Sequence, residues 1–122
     1  MRKKILLVDD TATVITLEKV VLGAGYDYLE ARNGDEALSR ALESRPDLIL
    51  MDLNMPVKNG IDGLRSLKAE ERTAAIPVVM VSTRSEAPVV ALCRSLGCAD
   101  FVAKPIDREL LKATVRRCLG GE

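Results

Sequence analysis

The feature that most constrains the fold is a run of four apolar residues, Leu48 to Met51, that ends on the acid Asp52. A continuous apolar run of this kind predicts a strand that is buried on both faces, as in a parallel sheet. Met55-Pro56 follows closely, and proline ends regular structure because it lacks an amide proton and restricts the residue before it. A carboxylate at the exposed end of a buried strand is unusual unless it has a function, so Asp52 is the first candidate functional residue.

The rest of the chain repeats this arrangement, a short strand followed by a helix, and five such units can be read along it. The predicted strands are 5–8, 26–31, 48–51, 77–81 and 100–103, and the predicted helices are 11–24, 35–44, 60–69, 85–96 and 108–118. This alternation predicts an α/β fold, a doubly wound parallel sheet with helices on both faces. At 122 residues we expect one domain covering residues 1–122.

Apolar spacing also predicts which helix faces are buried. The residues expected to face the sheet from the first helix are Val14, Leu17, Val20 and Val21, and those from the last helix are Leu110, Leu111, Thr114, Val115 and Cys118. Gly25 is placed to end the first helix.

Composition excludes several kinds of protein. Lys and Arg number 18 and Asp and Glu number 18, so no basic excess argues for a nucleic-acid partner. No apolar run approaches the roughly 20 residues of a membrane span, and the apolar run after Met1-Arg2-Lys3-Lys4 is too short for a signal peptide. We therefore expect a cytoplasmic protein without a membrane partner.

The absence of histidine excludes Ser-His, Cys-His and His-metal chemistry. The three cysteines, Cys93, Cys98 and Cys118, have no CxxC spacing and are expected to be reduced thiols that pack as small hydrophobic residues. Any active site must then be built from carboxylates, lysine and hydroxyl groups.

Reactive side chains follow four of the five predicted strands. They are Asp9 and Asp10, then Asp52, then Ser82 and Thr83, then Lys104. Because ligands of an open parallel sheet bind beyond the carboxyl ends of its strands, we expect these side chains to gather at one edge.

The charges at this edge do not balance, since Asp9, Asp10 and Asp52 face a single cation, Lys104. Two like charges 4 Å apart repel by about 4 kcal/mol at an effective dielectric constant of 20. Either one acid is protonated or a cation binds, and Mg²⁺ suits an all-oxygen site. This pattern suggests phosphoryl transfer to Asp52 as nucleophile, with Lys104 and the Ser82 hydroxyl holding phosphoryl oxygens.

Taken together, these segments resemble the motifs of the response-regulator receiver domain over nearly the whole chain. The matching segments are Val8-Asp9-Asp10, Asp52-Leu53-Asn54-Met55-Pro56, Asn59-Gly60, Val81-Ser82-Thr83 and Lys104-Pro105. The resemblance implies a CheY-like, flavodoxin-like sheet of five parallel strands in the order 2-1-3-4-5 with five helices.

The resemblance also implies the chemistry. Asp52 accepts a phosphoryl group from the phosphohistidine of a sensor histidine kinase or a histidine phosphotransfer protein. Asp10, Asp52 and the backbone carbonyl of Asn54 ligate Mg²⁺, with Asp9 acting partly through water and Mn²⁺ as the alternative ion. Lys104 pairs with Asp52 before the reaction and with the phosphoryl group after it. The chain would catalyse its own phosphorylation and dephosphorylation, but it is mainly a signalling switch.

The switch implied by the resemblance uses Ser82, which moves toward the phosphoryl group, and Phe101, which turns inward. The face formed by helix 4, strand 5 and helix 5 then binds a downstream protein. Thr83 and Arg84 stand at positions that modulate access and the lifetime of the phosphoryl group.

Two other classes of protein share parts of this pattern, but this chain lacks a residue or loop that each requires. A flavodoxin-type cofactor binder needs a glycine- and hydroxyl-rich loop after strand 1, where this chain has two acids. A phosphatase of the DxD type needs a second acid where Asn54 stands. Two alternatives stay open: a phosphate-independent pseudo-receiver that serves only as an interaction module, and a receiver excised from a larger regulator. Because the chain ends right after the last helix, we expect a stand-alone single-domain regulator.

Overall fold

The computed structural model describes residues 2–120. Met1, Gly121 and Glu122, which the predicted domain of residues 1–122 includes, lie outside the described residues. The strands are β1 (Lys4–Val8), β2 (Asp27–Ala31), β3 (Leu48–Met51), β4 (Val78–Ser82) and β5 (Asp100–Ala103). The helices are α1 (Ala12–Leu22), α2 (Gly34–Ser44), α3 (Gly60–Ala69), α4 (Ala87–Ser95) and α5 (Arg108–Cys118).

The five strands form one parallel sheet in the order β2-β1-β3-β4-β5, which confirms the predicted fold class. The central strand β3 is buried along its whole length, as its continuous apolar sequence predicts. The order makes β1 and β3 neighbours, so the chain segments that follow them emerge side by side at the carboxyl edge of the sheet.

Helices cover both faces of the sheet and enclose two cores. Ile5 and Leu7 of β1 point into the layer beneath α1 and α5, whereas Leu6 and Val8 point into the layer beneath α2, α3 and α4. This alternation follows from the two-residue side-chain period of a strand. We call the core layer beneath α1 and α5 the α1/α5 layer.

The predicted inward face of α1 is wrong in part. Val21 is buried and Val14 is half-buried, but Leu17 and Val20 are 44% and 63% exposed. The residues that α1 buries are Ile15, Glu18 and Val21. The apolar residues of α1 lie around most of its circumference, so their spacing fits two stripes. Packing of α1 against β1 and α5 selects the stripe that contains Glu18.

The predicted end of α1 is also wrong. The helix stops at Leu22, and Gly23 rather than Gly25 is its cap residue, with φ +86° and an N–H that donates to the Lys19 carbonyl. A positive φ is easy for glycine because it has no Cβ. Gly25 lies beyond, in the turn that leads into β2.

The last helix buries Leu111, Thr114 and Val115 as predicted, with Cys118 half-buried at its end. Leu110 was expected to face inward, but it is 49% exposed. The buried stripe of Leu111, Thr114 and Val115 is centred near Leu111, and Leu110 lies about 100° around the helix from that residue. Leu110 therefore lies at the margin of the stripe and is open to solvent.

Polar caps begin the helices that follow the turns. The side chains of Asn33, Asn59 and Asp107 accept backbone N–H bonds of 2.9 Å, 2.9 Å and 3.0 Å at the starts of α2, α3 and α5. Each satisfies one of the donors that a helix N-terminus leaves free.

Two further observations bear on composition. Cys93, Cys98 and Cys118 are free thiols, with Cys93 buried, which agrees with their predicted role as small hydrophobic residues. Within residues 2–120, every helix falls short of the length and apolar character needed to cross a bilayer.

Candidate functional site

Three carboxylates meet at the carboxyl edge of the sheet, where β1 and β3 end. Asp9 and Asp10 follow β1, Asp52 follows β3, and each offers an oxygen within 4.8 Å of the others. Asp9 is buried, Asp10 is exposed and Asp52 is 8% exposed. The structure thus brings together the three acids that the sequence predicts at this edge.

The sheet ladder continues into these residues and orients them. The N–H of Asp9 donates to the Ala31 carbonyl (3.1 Å), and the N–H of Asp52 donates to the Val8 carbonyl (2.9 Å). The backbone therefore stays extended, and the two-residue alternation places Asp9 on the same side as Leu7. The side chains of Asp9 and Asp52 therefore lie at the end of the α1/α5 layer that is nearest the carboxyl edge of the sheet.

Lys104 reaches the same place from β5. Its backbone N–H donates to the Ser82 carbonyl (2.9 Å), which continues the β4-β5 ladder by one residue. Its Nζ donates to Oδ2 of Asp9 at 3.0 Å and lies 3.5 Å from Oδ1 of Asp52. The lysine is thus shared between two carboxylates. The peptide bond from Lys104 to Pro105 is cis.

Burial and neighbouring charges shift the pKa of two of these groups. Burial raises the pKa of Asp52 above its ordinary value, and the charge of Asp9 adds to this, while Lys104 opposes both. For Lys104, burial alone would lower the pKa. Its hydrogen bond to Asp9 and the charges of Asp52 and Asp9 outweigh that effect, so its pKa is raised. Lys104 therefore stays charged at neutral pH.

The donor set suits a hard divalent cation. The site offers three carboxylates at short mutual distances, and Lys104 pairs with two of them, Asp9 and Asp52. Mg²⁺ is bound in proteins by one or two carboxylates together with water and phosphate oxygens. Asn54, whose carbonyl is the predicted fourth ligand, lies two residues beyond Asp52 in an exposed part of the β3-α3 loop.

The β3-α3 loop is held against the start of α3 by Gly60. The N–H of Gly60 donates to the Leu53 carbonyl at 2.8 Å. A Cβ added at Gly60 would lie 2.0 Å from the backbone oxygen of Asp52. Only glycine permits this approach, so Gly60 fixes the backbone of the candidate nucleophile.

The hydroxyl at the end of β4 lies one strand further along the edge. Ser82 is fully buried, and its Oγ accepts a 3.1 Å hydrogen bond from the backbone N–H of Arg84. Thr83 and Arg84 are exposed at the mouth of the site, and Arg84 Nε lies 3.9 Å from Glu86. The predicted modulating residues are therefore open to solvent.

Phe101 lies on the other face of the sheet from the carboxylates. It is half-buried in β5, opposite Met80 of β4, and packs against the core beneath α2, α3 and α4. The predicted motion of Ser82 and Phe101 stays a prediction.

Sequence reasoning missed one acid near the site, Glu18 of α1. It is 2% exposed, and its pKa is raised to about 8, first by burial and then by the charge of Asp9, with Asp52 adding and Lys104 opposing. Glu18 was missed because the predicted inward face of α1 contained only apolar residues. The sequence offered one weak indication, since Glu18 is the one acid of α1.

Comparison with known proteins agrees with this geometry. A family model described as "Response regulator receiver domain" matches residues 5–116. Protein PilH of Pseudomonas aeruginosa is 34% identical over 97% of this chain and 98% of its own length. The DNA-binding response regulator MtrA of Mycobacterium tuberculosis is 38% identical over 95% of this chain, which spans about half of MtrA's length (50%). The crystal structure of the phosphorylated cyanobacterial phytochrome response regulator RcpA has a TM-score of 0.89 and 28% identity, covering 98% of this chain and 95% of that one.

Proposed function

The chain belongs to the response regulator receiver domain family of two-component signalling, and from this premise we propose that Asp52 is its phosphoryl acceptor. One observation carries the proposal: three carboxylates at the carboxyl edge of the sheet have oxygens within 4.8 Å of one another, and the half-buried Lys104 pairs with two of them, Asp9 and Asp52. The phosphoryl donor is a phosphohistidine of a sensor histidine kinase or of a histidine phosphotransfer protein.

The reaction is a substitution at phosphorus. A carboxylate oxygen of Asp52 attacks the phosphorus atom, the new O–P bond forms, and the N–P bond to the donor histidine breaks with its electron pair left on the imidazole. Asp52 must be ionised to attack. Lys104, charged and 3.5 Å away, favours that form against the effect of burial.

A divalent cation, Mg²⁺ or Mn²⁺, would be held by Asp9, Asp10, Asp52 and the Asn54 carbonyl. When bound, it would supply positive charge that offsets the carboxylates and the incoming phosphoryl oxygens. Asp10 is the most exposed of the three acids.

Lys104 and Ser82 stabilise the product. The phosphoryl group carries roughly −1.5 to −2 charge in place of the single charge of the Asp52 carboxylate, so the Lys104 Nζ gains a more strongly charged partner than the carboxylate 3.5 Å from it. The Ser82 Oγ accepts a bond from Arg84 N–H and keeps its own proton to donate to a phosphoryl oxygen.

The output is a change in the α4-β5-α5 face. Two helices of this face each carry an exposed leucine, Leu92 (38%) on α4 and Leu110 (49%) on α5, and Phe101 of β5 is half-buried. Movement of Ser82 toward the phosphoryl group would let Phe101 turn inward and reshape this face.

The test is intact-mass measurement after incubation with Mg²⁺ and acetyl phosphate at neutral pH. Wild type should gain the mass of one phosphoryl group, the gain should vanish when Mg²⁺ is chelated, and Asp52→Asn should show none. Asp47→Asn, at the opposite end of β3, is the matched control and should be phosphorylated like wild type.

If wild type shows no gain with acetyl phosphate, the assay is repeated with a promiscuous histidine kinase and ATP. Failure with both donors would contradict the acceptor role of Asp52. A phosphate-independent interaction module would then be the better interpretation.

A further inference from the structure

Two buried polar atoms in the α1/α5 layer have no protein partner. Oε1 of Glu18 and Oγ1 of Thr114 receive no hydrogen bond from any residue of the described chain, 2–120. Glu18 is 2% exposed and Thr114 is 1% exposed. Leaving such groups unsatisfied is costly, and native proteins satisfy nearly all of them with protein groups or ordered water.

The fold places these two residues at the same depth. Both α1 and α5 begin at the carboxyl edge of the sheet and run back along the same face, in contact with each other. Glu18 is the seventh residue of α1, and Thr114 is the seventh residue of α5. At 1.5 Å per residue, each lies about 9 Å below the start of its helix. Glu18 and Thr114 therefore face the same region between the helices.

One water molecule would satisfy both. The two side chains are not within direct hydrogen-bonding distance of each other, since neither atom has a protein partner. A buried water needs at least two polar partners and persists where apolar side chains enclose it. Ile15 and Leu111, one helical turn above, and Val115 beside Thr114 supply that enclosure.

We propose that Glu18 and Thr114 hold an internal water molecule between α1 and α5, and that this bridge couples the carboxylate site to α5. The coupling follows from the location of Glu18. Asp9 points into the same layer, and the charges of Asp9, Lys104 and Asp52 all act on the Glu18 carboxyl. A change of charge at the site changes the hydrogen bonding of Glu18. The water passes that change to Thr114, on the helix that forms part of the α4-β5-α5 face.

A double-mutant cycle on the unphosphorylated protein tests the water bridge. Glu18→Leu and Thr114→Val each remove one end, and the double variant removes both. The factor by which Thr114→Val changes the unfolding equilibrium constant should differ by at least about threefold between the wild-type and Glu18→Leu backgrounds, since partners that share a site are not additive. Equal factors in the two backgrounds would overturn the bridge.

Two variants serve as controls. Thr13→Val alters an exposed threonine of α1 and should have the same effect in both backgrounds. Thr114→Ser keeps the hydroxyl and should retain the coupling to Glu18, whereas a merely steric role for Thr114 would make serine behave like valine.

Hydrogen exchange tests the link to the site, and this step rests on the proposed function. Thr114→Val should gain the same phosphoryl mass as wild type with Mg²⁺ and acetyl phosphate. The change in amide exchange over residues 108–118 that phosphorylation produces in wild type should be lost. An unchanged response in Thr114→Val would overturn the coupling. Failure of wild type to be phosphorylated would count against the proposed function alone, and the mutant cycle would still decide the bridge.

Discussion

At the scale of single residues, Glu18 shows how the fold can override a side chain's preference for water. Burial raises its pKa to about 8, and Asp9 contributes in the same direction. In the unfolded chain the carboxyl titrates near its ordinary value of 4.5. Between these two pKa values the folded protein retains a proton that the unfolded chain has lost. Stability therefore falls as the pH rises through this window.

We predict that Glu18→Gln removes this fall. Wild type should lose up to about 1.4 kcal/mol of unfolding free energy per pH unit between about pH 5 and pH 8 through this group, and the glutamine variant should not. Urea denaturation at several pH values measures the difference. Asp9, Asp52 and Lys104, whose charges act on Glu18, are present in both proteins, so subtraction isolates the contribution of Glu18. Glu71→Gln, at an exposed glutamate, should leave the wild-type slope unchanged.

Val57 is a second residue that the fold holds in an unfavourable state, in this case an unfavourable backbone conformation. It has φ +66°, a region that β-branched residues rarely adopt, and it is 84% exposed in the β3-α3 loop. Little burial compensates for the strain. Strain of this kind persists mainly at functional sites, and this loop leads from Asp52 to Gly60.

Val57→Gly should therefore stabilise the protein by about 1 kcal/mol, the relief of strain less the added freedom of glycine in the unfolded chain. Chemical denaturation provides the measurement. Val57→Ala retains a Cβ, so it should increase the free energy of unfolding by less than Val57→Gly does. A glycine variant no more stable than wild type would show that the valine is not strained.

At the scale of elements, the site depends on how closely α3 approaches the end of β3. Gly60 lets the first turn of α3 pack directly on the Asp52 backbone, while the Asn59 side chain caps the helix. The nucleophile is thus positioned by the start of the next helix as well as by its own strand.

Gly60→Ala should destabilise the protein by about 1–3 kcal/mol, because the added methyl overpacks a backbone contact that cannot yield easily. It should also slow phosphorylation by acetyl phosphate, since Asp52 must shift. Denaturation curves and the rate of mass gain measure the two effects. Gly25→Ala is the matched control, since a Cβ at Gly25 meets nothing within 4 Å.

At the scale of the whole molecule, charge is balanced in number but not in position. The 18 basic and 18 acidic residues give no net charge, yet three acids crowd one edge of the sheet around one lysine. Most of the other ion pairs in the described chain are exposed at the surface, where such pairs contribute little. Repulsion among the three carboxylates at this edge is therefore the main unfavourable electrostatic interaction that we expect in the fold.

Mg²⁺ should raise the melting temperature of wild type relative to EDTA at matched ionic strength, because a ligand that binds only the folded state stabilises it. Asp10→Asn should be more stable than wild type without Mg²⁺, by about 1 kcal/mol at low salt, and should respond less to the ion. Thermal denaturation provides both values. An equal response to Mg²⁺ in the two proteins would place the ion elsewhere.

The sequence alone determined the strands, their parallel direction and the residues that follow them at the carboxyl edge of the sheet. Buried parallel strands are continuous apolar runs, and their carboxyl ends must meet at one edge, so Asp9, Asp52 and Lys104 could be brought together without coordinates. The motifs of the family then led to the strand order that the structure confirms.

The tertiary structure decided the rotation of the helices and the sharing of the lysine. The apolar residues of α1 fit more than one stripe, and only packing against β1 and α5 selected the stripe that buries Glu18 and exposes Leu17. The ammonium group of Lys104 pairs with both carboxylates: its Nζ lies 3.0 Å from Oδ2 of Asp9 and 3.5 Å from Oδ1 of Asp52. Such choices depend on contacts between residues far apart in the chain, and local spacing does not encode them.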